Sequence, residues 1–294
     1  MAAFTFSSLG RYFSLVKINH TIFSLPFALI GFALAVNKGG EALSFRLLIL
    51  MLLCVFFARN AAMGFNRYVD REIDGKNPRT SMREIPSAVI RPMSALIFVI
   101  INALLFVLTT WFVNILCFFL SPVALLVVLG YSLTKRYTAL SHLFLGLGLA
   151  LAPIGAYLAV TGRFDILPLI FSFIVILWVA GFDILYALQD EDFDKSQRLK
   201  SLPAALGKGN ALIVSALFHL LAVILVVLAG FQGSFHWIYW IGGGLFTMAL
   251  IYEHLIVKPT DISRVNLAFA TMNGMASVVF ALFVIADLWI YRGL

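Results

Sequence analysis

Asn66-Arg67-Tyr68-Val69-Asp70-Arg71-Glu72-Ile73-Asp74 follows directly on the apolar run Phe45 to Phe65, and its acidic spacing decides how the chain reads. Each residue of an α-helix turns by about 100°, so Asn66, Asp70 and Asp74 fall along one stripe, roughly one turn apart. Three oxygen-bearing side chains then converge at the end of a membrane helix. Arg67, Arg71, Lys76, Arg79 and Arg83 are interleaved with them or follow closely. Such a claw could hold Mg²⁺ while neighbouring guanidinium groups bind phosphate oxygens sharing the metal. Read singly, the motif is more often a solvated, salt-bridged helix end than a metal claw.

A second copy changes that balance. Asp183 and Asp190-Glu191-Asp192-Phe193-Asp194 close another apolar run, Ile166 to Leu188. Asp190-x-x-x-Asp194 repeats the spacing, and Asp183, about two turns before Asp190, shares its face. Lys195, Arg198, Lys200 and Lys208 follow, as cations followed the first motif. Paired carboxylate clusters backed by cations are what two Mg²⁺ ions bridged by a diphosphate would need.

Of the 294 residues, 62% are hydrophobic and 12% charged, and the mean hydropathy is +1.00. This places the chain outside the soluble range, as an all-α polytopic membrane protein in a single domain. Repeated apolar segments of about twenty residues specify helices rather than the short alternating strands of a barrel. The expected spans are Ile18 to Val36, Phe45 to Phe65, Met93 to Trp111, Ile115 to Leu133, Leu143 to Val160, Ile166 to Leu188, Ala211 to Gly230, Trp237 to Val257 and Leu267 to Ala286, nine in all. The first is too long for a signal-peptide core and reads as a retained helix. Motif placement hints at a pseudo-repeat of helices one to four and five to eight, with a ninth added. Pro26, Pro122 and Pro153 interrupt helices and are candidate kinks.

Basic residues concentrate in alternate loops. Arg11, Lys17, the loops after both motifs, Lys135, Arg136, Lys258 and Arg264 fall on one side; Lys38, Arg46, Arg163 and Arg292 fall on the other. By the positive-inside rule both motifs face the cytoplasm. The net charge of +7 thus reports orientation in the bilayer, and nothing points to nucleic acid.

Arg59 lies inside the second span, where an arginine facing lipid is costly, so it is expected toward a polar interior on the face of Asn66 and Asp70. Tyr131 and the pair Lys135-Arg136 close the fourth span on the motif side. Either cation could reach a phosphate or an acceptor carboxylate, or merely fix topology. Cys54 and Cys117 read as small core residues. The five histidines show no helical pairing with one another and read as interfacial or packing residues. Tyrosines near the motifs, Tyr68, Tyr131 and Tyr186, could help shelter a carbocation by cation–π attraction.

Asn66-x-x-x-Asp70-x-x-x-Asp74 with Arg79-Thr80 and Arg83-x-x-Pro86, joined to Tyr186-Ala187-x-x-Asp190-x-x-x-Asp194 and Lys200-Ser201, resembles the UbiA superfamily of intramembrane aromatic prenyltransferases. Lys135-Arg136-Tyr137-Thr138 and Arg59 match positions typical of its 4-hydroxybenzoate polyprenyltransferase branch. The resemblance implies helices around a central cavity, two Mg²⁺ ions, a polyprenyl diphosphate donor, an aromatic acceptor and a place in the bacterial inner membrane. Asn66, Asp70, Asp74, Asp190 and Asp194 would hold metal, the four aspartates being the catalytic set. Arg67, Arg79, Arg83 and Lys200 would meet diphosphate, and Arg59, Lys135 or Arg136 would orient the acceptor or touch further phosphate; Asp183 and Tyr131 are further candidates. Two stretches depart from the ubiquinone enzymes: Lys17-x-x-His20-Thr21-x-Phe23-x-Leu25-Pro26-Phe27, and Arg83-Glu84-Ile85-Pro86. Both look more like the subgroup associated with futalosine-pathway menaquinone synthesis, which leaves two acceptor classes open.

A reading of another class is a transporter, since Arg59, Asp183, Glu253 and Asp287 sit within or near apolar runs. The acids cluster instead at the ends of two helices, which favours an enzyme site at the interface.

Overall fold

A computed structural model describes residues 6–292, with the side chains of 6–9 and 18–20 excepted, so His20 lies outside the side chains described. The helices are α1 (Phe6–Leu15), α2 (Leu25–Asn37), α3 (Phe45–Val69), α4 (Arg71–Lys76), α5 (Pro92–Val113), α6 (Ile115–Thr134), α7 (Ser141–Thr161), α8 (Ile166–Ala187), α9 (Glu191–Ser196), α10 (Leu202–Gln232), α11 (Trp237–Ile256) and α12 (Asn273–Ile290). A 3₁₀ segment, Ile18–Phe23, leads into α2, and a π-helical turn, Leu267–Met272, leads into α12. Among the described residues there is no strand, only an isolated bridge between Lys258 and Asp261.

Each expected span has a helix in its place. Seven of them, α3, α5, α6, α7, α8, α10 and the π turn with α12, are long and apolar enough to cross a membrane. α2 is shorter, and α11 is diluted by Trp237, Tyr239, Trp240, three glycines, Glu253 and His254, so the count of nine is not reached on that measure.

The helices pack in succession, and α2 touches both the first and the last of the series. α3 packs on α5 and α6, α6 on α7, α7 on α8, α8 on α10, α10 on α11 and α11 on α12, while α2 fills the middle against α3, α7, α8 and α12. Gly31 permits the closest crossing: a Cβ there would lie 2.0 Å from the Pro153 carbonyl oxygen of α7. The core around α2 and α8 is aromatic, with Phe27, Phe171, Trp178, Phe246 and Phe280 fully buried. Outward faces are also apolar; Leu104, Phe119, Leu126 and Phe231 are exposed, which only lipid accommodates.

The prolines differ in use. Pro122 and Pro153 lie inside α6 and α7, but Pro26 starts α2, where its missing N–H costs nothing. A short helical segment capped by Ser201 precedes the seventh expected span, and Gly207 (φ 77°) breaks the helix between that segment and the long run holding Ala211 to Gly230.

Candidate functional site

Both acidic motifs occupy the same end of the bundle, and both depart from a straight helix. α3 ends at Val69; Asp70 adopts φ −87°, ψ 3°, and α4 begins after it. α8 ends at Ala187, one 3₁₀ turn follows, and Asp190 (φ −104°, ψ 6°) precedes α9. Asn66, Asp70 and Asp74 are therefore not on one continuous helix. The backbone nonetheless keeps four-residue bonds across the break, Asp70 N to Asn66 O at 3.0 Å and Asp74 N to Asp70 O at 2.7 Å. The break leaves Asp70, Asp74 and Asp194 buried.

Two of the cations expected on diphosphate, Arg79 and Arg83, and the pair expected on the acceptor or further phosphate, Lys135 and Arg136, hold the acids. Asp70 receives Lys135 Nζ and an Arg136 terminal nitrogen, each at 3.3 Å, with Asn66 Nδ2 donating at 3.1 Å. Arg136 also donates to the Val69 carbonyl at 2.9 Å. Arg83 reaches both Asp74 oxygens, at 2.7 and 2.8 Å. Arg79 crosses to the second motif: its Nε donates to Asp190 Oδ1 at 3.0 Å, a terminal nitrogen meets Oδ2, and the other donates to the Tyr186 hydroxyl at 2.9 Å. Asn77 Nδ2 joins at Asp190 Oδ1, 3.0 Å. Burial works against the Arg79 charge, but its hydrogen bonds with Asp190 and the charges of Tyr186, Asp190 and Asp74 together outweigh that and hold the guanidinium above its ordinary value.

The loop after α4 thus clamps the second motif to the first, and Asp70 and Asp190 belong to one site. Arg67 is buried near Asp74 and Arg83, its Nε without a partner among the described residues. Lys200 is placed at the rim, its Nζ donating to the Tyr137 carbonyl at 3.0 Å and its N–H to the Lys135 carbonyl at 2.7 Å. A cavity of about 550 Å³, lined by Tyr68, Leu133, Arg136 and Arg198, flanks the first motif.

Deeper in the bundle, Tyr131 lies within electrostatic range of Arg59, Arg67, Asp70 and Asp183. Arg59 does not reach Asn66 or Asp70 by hydrogen bond. It donates to the backbone carbonyls of Val16 (3.0 Å) and Lys17 (2.6 Å), anchoring the chain that follows α1. Asp183 accepts from His142 at 2.7 Å. Sequence reasoning missed His142 because the pairing joins α7 to α8, and helical spacing reports only neighbours on one helix. His219 and His254 likewise meet across α10 and α11, at 3.0 Å.

Among the described residues, no three His, Cys, Asp or Glu side chains form a metal cage by themselves. Mg²⁺ does not require one: it takes one or two carboxylates and completes its shell with water and substrate phosphate. Asn66, Asp70 and Asp74, opposed by Asp190 and Asp194, are hard oxygen donors of that kind. The residues present fit Mg²⁺.

Comparisons with known proteins agree with this geometry. A profile of the UbiA prenyltransferase family matches residues 24–285. The chain is 32% identical over 231 residues to a 4-hydroxybenzoate octaprenyltransferase of Psychromonas ingrahamii, covering 77% of this chain and 79% of the relative. A protein of the same name from Tolumonas auensis is 28% identical over 242 residues, covering 81% and 83%. The apo structure of a UbiA homologue from Aeropyrum pernix superposes with a TM-score of 0.80 at 29% identity, covering 93% of this chain and 98% of that one. A UbiA homologue from Archaeoglobus fulgidus, bound to GPP and Mg²⁺, shares the fold at 21% identity, with a TM-score of 0.74 over 95% and 99% of the two chains.

Proposed function

The chain belongs to the UbiA prenyltransferase family as an aromatic prenyltransferase of the membrane, and from that premise we propose that it moves a polyprenyl group from polyprenyl diphosphate onto a 4-hydroxybenzoate-type acceptor in respiratory quinone synthesis. One observation carries this reading: three acids of the two motifs are interlocked at one end of the bundle with the cations a diphosphate needs, Arg79 bridging to Asp190 and Arg83, Lys135 and Arg136 holding Asp74 and Asp70. Relatives named 4-hydroxybenzoate octaprenyltransferase support the acceptor class.

Asn66, Asp70 and Asp74 would hold one Mg²⁺, and Asp190 with Asp194 another. Bound there, Mg²⁺ supplies positive charge against the diphosphate as its allylic C–O bond breaks. Arg79, Arg83, Lys135 and Arg136 are then free to exchange carboxylate for phosphate oxygens, forming charge-assisted bonds of similar strength. Arg67 stands behind them. Tyr186, whose ring already takes the Arg79 guanidinium on its face, and Tyr131, near Asp70 and Asp183, are the aromatic groups that would stabilise an allylic cation by their quadrupoles. The bilayer accommodates the polyprenyl tail, and the apolar interior keeps water from the cation. The basic loops put this end on the cytoplasmic side of a bacterial inner membrane.

The stretch from Arg83 to Pro86 favours a futalosine-type acceptor as a second reading. Its Glu84 accepts from Ser14 of α1, so this segment is joined to the N-terminal helix. Purified protein with Mg²⁺ and labelled polyprenyl diphosphate is to be offered 4-hydroxybenzoate and a futalosine-type compound in parallel, with products identified by mass. A prenylated aromatic from one of the two, lost on addition of EDTA, is expected; no lipid product from either defeats the proposal.

A further inference from the structure

Below the aspartate clamps, Asp183 and His142 form a pair that the scheme above leaves unused. Asp183 Oδ2 lies 2.7 Å from His142 Nδ1, and Nε2 of the same ring accepts the Leu202 N–H at 3.3 Å. A backbone amide only donates, so Nε2 carries the lone pair and the ring proton resides on Nδ1, directed at Asp183. His142 is 3% exposed, and both of its nitrogens are engaged. It is a neutral imidazole locked in one tautomer.

This sets Asp183 apart from three of the four motif aspartates. Asp70, Asp74 and Asp190 each face a guanidinium or an ammonium group, and a carboxylate paired with a fixed cation is a weak base. Asp183 has a neutral donor on one oxygen, while Oδ1 has no hydrogen-bond partner among the described residues. Its side chain is 24% exposed, and it shares the surroundings of Tyr131 with Arg67 and Asp70. Asp183 thus stands on α8 within electrostatic reach of Tyr131, with one carboxylate oxygen uncommitted.

We propose that His142 is a positioning residue that holds Asp183 to take the ring proton of the aromatic acceptor. The inference rests on the aromatic prenyl transfer proposed above. As the acceptor ring attacks the allylic carbon, a ring π pair becomes the new C–C bond, and the C–O pair departs with diphosphate. The attacked ring carbon then carries both the prenyl group and its original hydrogen. Aromaticity returns when that hydrogen leaves as a proton to Asp183 Oδ1 and the C–H pair rejoins the ring. His142 keeps the carboxylate's orientation through the step, and the Leu202 amide keeps His142's.

The test compares wild type, His142→Leu, His142→Gln and Asp183→Asn, using 4-hydroxybenzoate and its ring-deuterated form at saturating polyprenyl diphosphate. Wild type should show no isotope effect on kcat, because proton loss follows a slower C–O cleavage. His142→Leu should lose about 100-fold in kcat, the scale of a general base, and acquire a primary isotope effect with the KM for diphosphate unchanged. Glutamine has a donor at one end and an acceptor at the other, so His142→Gln should recover most of the rate. Full activity in His142→Leu, or a loss with neither isotope effect nor rescue by glutamine, overturns the proposal. Should His142→Leu fail to fold, Asp183→Asn decides: slow turnover with an isotope effect sustains the assignment, and full turnover ends it. A wild type that prenylates no aromatic acceptor, yet still releases diphosphate from the donor, overturns the parent reading and this one with it.

Discussion

Replacing Arg79 separates two contributions that the structure combines in one side chain. Its fork bonds both Asp190 oxygens and the Tyr186 hydroxyl, joining the loop after α4 to the second motif. Charge-assisted bonds of this kind are worth about 1.5–3 kcal/mol when buried. With side-chain exposures of 31% for Arg79 and 16% for Asp190, screening reduces the whole pair to about 1–2 kcal/mol. Arg79→Ala should therefore lower the melting temperature in detergent by roughly 2–8 °C. The effect on turnover should be larger: losing one preorganised donor to developing negative charge costs about 2.7–4 kcal/mol, or about 100–1,000-fold in kcat. Arg79→Lys restores charge without the fork and should fall between the two. Prenylated product is measured by mass under saturating Mg²⁺ and donor, alongside thermal melts of the same preparations. Arg79→Ala with a lowered melting temperature and undiminished kcat would show the residue to be a strut only.

Asp70→Ala and Asp190→Ala should each abolish prenyl transfer while eluting as a single species in size-exclusion chromatography, since the released cations keep access to water at the rim. Asp287→Ala should leave the KM of both substrates unchanged but destabilise α11 by about 0.5–2 kcal/mol, seen as a lower melting temperature, because its carboxylate accepts the N–H groups of His236 and Tyr239 at 3.1 Å each. Gly31→Ala drives a methyl into the Pro153 carbonyl; the helices must part, at about 1–3 kcal/mol or more, and monodisperse protein should be lost on mild heating.

The helices were legible because bilayer thickness imposes an apolar length that composition records directly, as in Ile115 to Leu133 against the observed Ile115–Thr134. The union of the two motifs was legible from their repeated spacing and following cations. What spacing does not encode is the bend at Asp70 and Asp190. A straight helix would have carried Asp74 a full turn onward, toward water. With ψ near zero at Asp70, α4 turns aside, Asp74 is buried, and the chain after it returns across the bundle for Asn77 and Arg79 to reach Asp190. Nor could sequence show His142 against Asp183, 41 residues apart, since that contact exists only once α7 and α8 are packed.

The charges that favoured a transporter now have separate explanations. An ion path through a membrane requires polar groups in succession, each within reach of the next. Arg59 is occupied with the carbonyls of Val16 and Lys17, and Asp287 caps α11 near the bundle end away from the motifs. Asp183 is paired with His142 beside the motif end. Glu253 is fully enclosed on α11, and its carboxyl oxygens form no hydrogen bond among the described residues. Arg59, Asp183 and Asp287 thus hold backbone or side chains at three separate places, Glu253 stands apart from them on α11, and no chain of described hydrogen bonds joins one to another. Among the described residues the ion-paired network lies at one end, where the acids of the two motifs meet their cations; such an arrangement suits a polyanion at the rim with its apolar tail in the bilayer interior.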